Sequence, residues 1–339
     1  MERSLPAPVL GGERNMDLWM LEKRAAIIRK ARSFFDARNY LELDTPLLSP
    51  DLIPESCLEV FETERLYPHG SREKKRPLWL IPSPEIWMKK IIAEHRVNVY
   101  QICKCFRNGE SAGHLHNHEF TMLEYYAMDA DYQDSLSLTE ELFFCLAEEK
   151  PSLRPPFERV TVAEAFSRWA GFDLFEAASK EGALEEAARS LGLDPPPGMT
   201  AGGLYDLIFI HAVEPRIKSK RPVALLDYPA FVPCLAKKSP DGKTVERWEL
   251  YYNGIELANC FSEETDPENV KDFFISEAAA REKGALSRHG VDADYWKVFN
   301  RRSDGKGFPR CSGTALGMDR LIMALTGRSA IDEVIPFGG

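Results

Sequence analysis

The sequence predicts an α+β protein, an antiparallel β-sheet flanked by helices. Three observations carry this. Asn253-Gly254 joins two β-rich runs, WELYY and IELANCF. It is a strong hairpin signal, because a type I′ turn needs positive φ at both central positions. VNVYQICKCFRN (97–108) and HEFTMLEYYAM (118–128) read as a second, longer hairpin. The hairpins lie far apart in the chain with helical segments between them, which suits a sheet assembled from distant strands.

In chain order, residues 1–17 carry Pro and Gly and read as an arm. Leu18, Leu21, Ala25, Ile28, Arg32 and Phe35 follow steps of three and four, predicting a helix to about Arg38. YLELDTP reads as a short strand stopped at Pro46. A helix is expected near Ile86–Glu94, and another over 133–149. Thr161-x-x-Glu164 is a capping box opening a helix through Trp169. The stretch from about 155 to 215 reads as a helical insertion. Strands resume with PVALLDYP and the Asn-Gly hairpin. Helices near 267–283 and 292–300 precede a final strand-to-helix unit, CSGTALGMDRLIMALTG.

The chain has 339 residues and a net charge of -10. That charge argues against broad electrostatic gripping of nucleic acid and favours a cationic substrate. Seven cysteines with no CxxC pair imply free thiols in a reducing compartment. There is no secretory h-region and no membrane-length apolar run, so a cytoplasmic protein with no membrane partner is expected.

Chemistry concentrates in three segments. A two-residue loop pairs Tyr251 with Glu256 and places Glu249 on the same face as Tyr251. Glu249 and Glu256 then suit a shared Mg²⁺; two unrelated acids on a solvated face are the plainer alternative. Ala258 and Cys260, expected on the same face, favour the buried reading. Glu263 stands at odd separation from Glu256, so it joins that face only if the strand ends or bulges after Phe261. In the earlier hairpin, Arg107 suits a phosphate. His118, Phe120, Met122, Glu124 and Tyr126 alternate onto one face, as a binding wall or a half-buried strand. His114, His116 and His118 have zinc-like alternate spacing but no evident fourth ligand. In SGTALGMDRL, Gly313 and Gly317 permit close backbone approach, and Arg320 suits a nucleotide phosphate. The glycine spacing is not the dinucleotide fingerprint.

Together, in order, these segments resemble the class II aminoacyl-tRNA synthetase catalytic domain of lysine type, over about residues 18–339. The helix ending in DTP is similar to motif 1, which in that family builds a dimer interface. FRN…HNHEFTMLE is similar to motif 2, and GTALGMDRL to motif 3. The chain most resembles the shortened members that modify elongation factor P with (R)-β-lysine. An anticodon-binding domain has no room before residue 18, and Ala315 stands where the tRNA enzymes usually have glycine. The resemblance implies ATP and Mg²⁺, a small cationic amino acid, elongation factor P as acceptor, a homodimer, and little role for tRNA.

By the same resemblance, Arg107 and Arg320 are catalytic and hold ATP phosphates. Asn108, Gly109, Glu110, Asn117, Phe120, Glu256, Leu257 and Gly317 complete the ATP site, with Phe120 stacking on adenine. Glu249 and Glu256 hold Mg²⁺. Ser83, Pro84 and Glu85 meet the backbone amine of the substrate. Glu124, Tyr126 and Glu263 receive the side-chain ammonium, above Ala315. The motif 2 loop departs from the family pattern at Gly109 and His118, which bears on the adenine and α-phosphate contacts. Two alternatives stand beside this reading: transfer to tRNA or a small acceptor, and a catalytically inactive synthetase-like regulator.

Overall fold

The computed structural model describes residues 17–70, 74–109, 113–301 and 303–336. Asp17 accepts a hydrogen bond from the Trp19 amide (3.1 Å) and opens α1 (Leu18–Asp36), whose Met20, Ala31, Phe34 and Phe35 are buried. Two short strands follow, β1 (Leu41–Glu42) and β2 (Leu48–Ser49). With β3 (Glu62–Leu66) and β4 (Lys75–Leu80), β2 forms a small sheet ordered β2-β4-β3. Helix α2 (Glu85–His95) ends at Arg96, which takes a left-handed conformation. The long hairpin is β5 (Val99–Phe106) and β6 (Glu119–Met128). Asp131 and Asp134 cap α3 (Tyr132–Leu146) reciprocally.

The segment expected to be helical opens with a strand, β7 (Glu158–Thr161), parallel to β8 (Val223–Pro229). Between them run α4 (Val162–Ala165), α5 (Leu174–Ala178), α6 (Ala183–Ser190) and α7 (Ala201–Ile208). The Thr161/Glu164 capping box forms, but α4 widens into a π turn at Phe166–Ala170 and stops at Gly171, where φ is +84°. The hairpin β9 (Thr244–Tyr252) and β10 (Ile255–Ser262) turns at Asn253 (φ 56°) and Gly254 (φ 79°), both positive as the turn requires. Helix α8 (Pro267–Gly284) follows, then a single 3₁₀ segment (Tyr295–Phe299) in place of the helix expected over 292–300. The chain finishes with β11 (Cys311–Gly317) and α9 (Met318–Thr326).

The eight-stranded sheet runs β1-β5-β6-β11-β10-β9-β8-β7. Every neighbouring pair is antiparallel except β1/β5 and β7/β8 at the two edges. By inserting between β6 and β10, β11 brings the two hairpins into one surface. Alternation gives that surface two characters. On the back, Leu123, Tyr125, Trp248, Leu250, Ala258, Cys260 and Leu316 belong to one buried cluster with residues of α1, α3 and α9. Each large apolar side chain buried there contributes about 1.5–3 kcal/mol. On the front, a second cluster gathers Tyr126 of β6 with Ile86, Met88 and Ile92 of α2 and Val270 and Phe274 of α8. A third joins α4–α7 to β8 and β9. Polar side chains of the front face lie among these.

Candidate active site

The hairpin register begins as expected, with Tyr252 opposite Ile255 and Tyr251 opposite Glu256. It then shifts by one between Glu256 and Ala258, so that Glu249 faces Asn259 and Arg247 faces Phe261. The extra residue in a bulge reverses the alternation beyond it. Glu256, Asn259, Phe261 and Glu263 therefore share the front face with Arg247, Glu249 and Tyr251. The break that brings Glu263 in lies at Leu257, not after Phe261. Ala258 and Cys260 point into the back core, so they do not flank Glu256 as the unbroken strand would have placed them.

The front face holds a closed group of carboxylates. Glu124 on β6 is 3% exposed and Glu263 is 2% exposed. Tyr126 donates to Glu124 Oε1 (2.8 Å), while Glu124 Oε2 has no hydrogen-bond partner among the described residues. Gln101 stands opposite Glu124 on β5, and its side-chain nitrogen is equally unpartnered. Buried polar groups are normally paired, so a free acceptor beside a free donor marks a place built for a ligand. Burial is the main influence on Glu124 and pushes its carboxyl well above the usual range, reinforced by Glu85 and opposed by Tyr126. Burial likewise pushes Glu263 up to about 8.

A resident cation sits against this group. Lys89, fully buried on α2, lies 2.5 Å from Glu85 Oε1 and 2.6 Å from Glu263 Oε2. Burial alone would lower its pKa, but Glu263 and Glu85 hold the ammonium well above its ordinary value. The floor beneath is β11, where Gly313 faces Tyr126, Ala315 faces Glu124 and Gly317 faces Met122. A Cβ on Gly313 would come within 2.5 Å of the Tyr126 ring and 2.6 Å of Glu263 Oε1.

Beside this pocket lie the arginines and the second pair of acids. The Arg107 guanidinium is 5.3 Å from the Phe120 ring centroid, and its Nε is buried without a partner among the described residues. Arg320, in the first turn of α9, donates to the Glu256 carbonyl (3.0 Å) and the Leu115 carbonyl (3.3 Å). Arg320 is itself set by its neighbour: Asp319 pairs with Arg24 of α1 at 2.6 Å and accepts from the Thr121 amide at 2.6 Å. Glu249 is held by Arg247 (2.5 Å) and by the Tyr251 hydroxyl (2.6 Å). Burial, then the charge of Glu249, pushes Glu256 up to about 7, with Arg320 and Arg107 opposing.

The sequence profile of the tRNA synthetases class II (D, K and N) matches residues 7–339. The chain belongs to this class II synthetase family. Its curated relatives include "Elongation factor P--(R)-beta-lysine ligase" of Avibacterium paragallinarum, 36% identical over 318 residues, covering 94% of each chain. The protein of that name from Haemophilus influenzae strain PittGG is 35% identical over 322 residues, covering 95% of each. The one from Vibrio atlanticus is 36% identical over 323 residues, covering 94% of each.

In this class II synthetase framework, the front face brings together Arg107, Phe120, Glu124, Tyr126, Glu249, Glu256, Glu263, Ala315, Gly317 and Arg320. Glu85 opens α2 at its edge, after Ser83 and the buried Pro84. Other candidates sit differently. Leu257 turns its side chain into the back core, so only its backbone borders the front. Asn117 spends its amide on the Glu119 carbonyl (2.6 Å). Asn108 accepts from the Gly109 amide (2.9 Å), with Gly109 at φ +67° against Glu59. Glu110 lies outside the described residues. Among those residues, no three ligating side chains group as a metal site, so the alternating histidines form none there.

Sequence reasoning passed over Lys89, Arg247, Asn259 and Gln101. Lys89 carried a signal: with Glu85, Ile92 and Ala93 it falls at the 0, 4, 7, 8 spacing of one helix face, a lysine on the apolar side. Arg247 and Asn259 lie two positions from Glu249 and Phe261, but Asn259 changes face only because of the bulge.

Proposed function

We propose that this synthetase-family chain activates a lysine-type amino acid with ATP and transfers it to a lysine side chain of elongation factor P. The names of its relatives support (R)-β-lysine as the amino acid and elongation factor P as the acceptor. The observation that carries the reading is the pair of buried acids Glu124 and Glu263 with the half-buried Glu85 beside them and an unpaired Glu124 oxygen, within the same front face as two arginines. Acids in a dry pocket recognise ammonium groups strongly, because each unmade contact there is costly.

In the first step, the substrate carboxylate attacks the α-phosphorus of ATP in line, forming an acyl-adenylate and releasing pyrophosphate. The carboxylate is ionised at neutral pH and needs no base. Glu85, Glu124, Tyr126 and Glu263 hold the ammonium groups and so fix the carboxylate's direction. Arg107 and Arg320 neutralise phosphate charge, and Phe120, stacked beside Arg107, offers its outer face to adenine. Glu249 and Glu256 fit Mg²⁺ by their chemistry: two hard oxygen donors on one face, with the second unwilling to ionise until a cation relieves it. When bound, Mg²⁺ supplies charge neutralisation and a template for the triphosphate. In the second step, the amine of the acceptor lysine attacks the acyl carbon and displaces AMP.

The reading includes a cytoplasmic homodimer. Leu18, Trp19 and Leu41, all exposed, give the α1 and β1 side of the sheet an apolar surface for a second copy. Among the described residues, no helix is long and apolar enough to cross a membrane.

Pyrophosphate exchange with α-lysine and (R)-β-lysine tests activation. Mass analysis of elongation factor P after incubation tests transfer, with lysine tRNA as the competing acceptor. Exchange with neither amino acid removes the reading, and charging of tRNA alone redirects it.

A further inference from the structure

Resting on the activation proposed above, the charge arithmetic of the amine pocket points to a role for Lys89. The pocket walls supply three carboxylates: Glu85 from α2, Glu124 from β6, and Glu263 from the end of β10. Lys89 touches two of them, Glu85 and Glu263, and is as buried as Glu124 and Glu263, with Glu85 half-buried at the edge. Its ammonium also lies 5.4 Å from the Phe261 ring, so no water layer separates it from the walls. The other ionisable groups facing it are Tyr126, Tyr295 and Cys311, which burial keeps neutral, and Glu55, on which burial, Glu85 and Arg107 all act more strongly than Lys89 does. Once ionised, three carboxylates against one resident positive charge leave a deficit of two for the ligand to fill.

We propose that Lys89 is a specificity-determining residue: by occupying one of three carboxylate charges permanently, it matches the pocket to an amino acid bearing two ammonium groups. A ligand with one ammonium leaves a carboxylate buried and uncompensated, which must stay protonated or go unpaired. Both diamino acids and Lys89 thus compete for the same oxygens, and the fold has settled the division by fixing Lys89 one helical turn from Glu85, in the favourable Glu-to-Lys order. Glu124 Oε2 and Glu263 Oε1, both without a hydrogen-bond partner among the described residues, are what remain for the ligand.

The test is the affinity ratio, by calorimetry without ATP, of (R)-β-lysine over (R)-3-aminohexanoic acid, which lacks the terminal ammonium. α-Lysine and norleucine form a second pair. In the unaltered protein the diamino member is preferred. Glu263→Gln leaves a deficit of one, and its ratio falls by about tenfold or more. Lys89→Met with Glu263→Gln restores a deficit of two, and the ratio recovers toward the original although two residues have been removed. Lys89→Arg keeps the charge and keeps the ratio. A packing role for Lys89 predicts the opposite order, with the double variant worst. Thermal melts identify the folded variants, and Glu263→Gln and Lys89→Arg decide between the two roles if Lys89→Met does not fold. An unchanged ratio in Glu263→Gln, or a double variant below Glu263→Gln, overturns the assignment of Lys89 and leaves the activation reading intact. Absence of binding by any diamino acid to the unaltered protein removes both.

Discussion

Glu256 and Glu263 project from the same face of β10, although their odd separation would set them on opposite faces of a regular strand. The shift between Glu256 and Ala258 is what joins them. The backbone count at Leu257, rather than its side chain, sets the phase. Deleting Leu257 therefore abolishes pyrophosphate exchange, because one carboxylate is forced into the back core. Leu257→Ala keeps the phase and retains measurable exchange, while removing a buried side chain costs about 2–5 kcal/mol by denaturant titration.

Gly313 is where the floor of the amine pocket is tightest. Gly313→Ala must displace the Tyr126 ring or the Glu263 carboxylate, both within 2.6 Å of the new carbon. We expect a loss of about 1–3 kcal/mol in stability from overpacking and a raised KM for the amino acid. Gly317→Ala, whose added carbon meets nothing nearer than 3.8 Å, costs less stability. Thermal melts of the two variants side by side decide it.

Three front-side carboxyls ionise late: Glu55 and Glu256 at about 7, and Glu263 at about 8. Each is raised by folding, so its contribution to stability is fully present below the ordinary value of 4.5 and is lost as pH rises through 7 and 8. The ligand-free protein should lose Tm between about pH 5 and 8, and Glu263→Gln should flatten that slope. Lys89, held charged well beyond this window, does not offset it. Binding a diamino acid should release protons near pH 7, read as a buffer-dependent heat. An equal heat in buffers of different ionisation enthalpy would contradict the assignment.

Asp319 is a brace for Arg320. It pairs with Arg24, which also donates to the Thr121 hydroxyl (2.8 Å) and the Val334 carbonyl (3.2 Å). Asp319→Ala leaves the half-buried Arg24 without its charge partner, a loss of about 3 kcal/mol. Because the same change frees the start of α9, the KM for ATP should rise as well. Arg24→Met with Asp319→Ala should recover part of the stability but not the KM.

Much of this was legible in local patterns. The Asn253-Gly254 turn, the opening register of its hairpin and the 118–128 alternation follow from backbone rules that hold wherever those residues occur. What escaped depends on contacts between distant segments. The shift at Leu257 answers to packing against β9 and β11, and no residue in the run announces it. Lys89 stands out in the sequence only as a lysine on an apolar helix face, and its partner Glu263, far along the chain, shows only once the fold places the two together. The parallel edge pairs were missed for the same reason: β1 and β7 are too short to declare their partners.

The small residues of β11 also determine how this pocket can change. Its depth is carved into a strand hydrogen-bonded on both sides, not left open between loops. Such a trough cannot flex to admit a longer or bulkier guest. It transmits a change in shape only as a change in side-chain volume at two alternate positions. Redesign toward other diamino acids then reduces to a small combinatorial problem at Gly313 and Ala315, to be solved without disturbing Gly317 and the loops that meet the nucleotide.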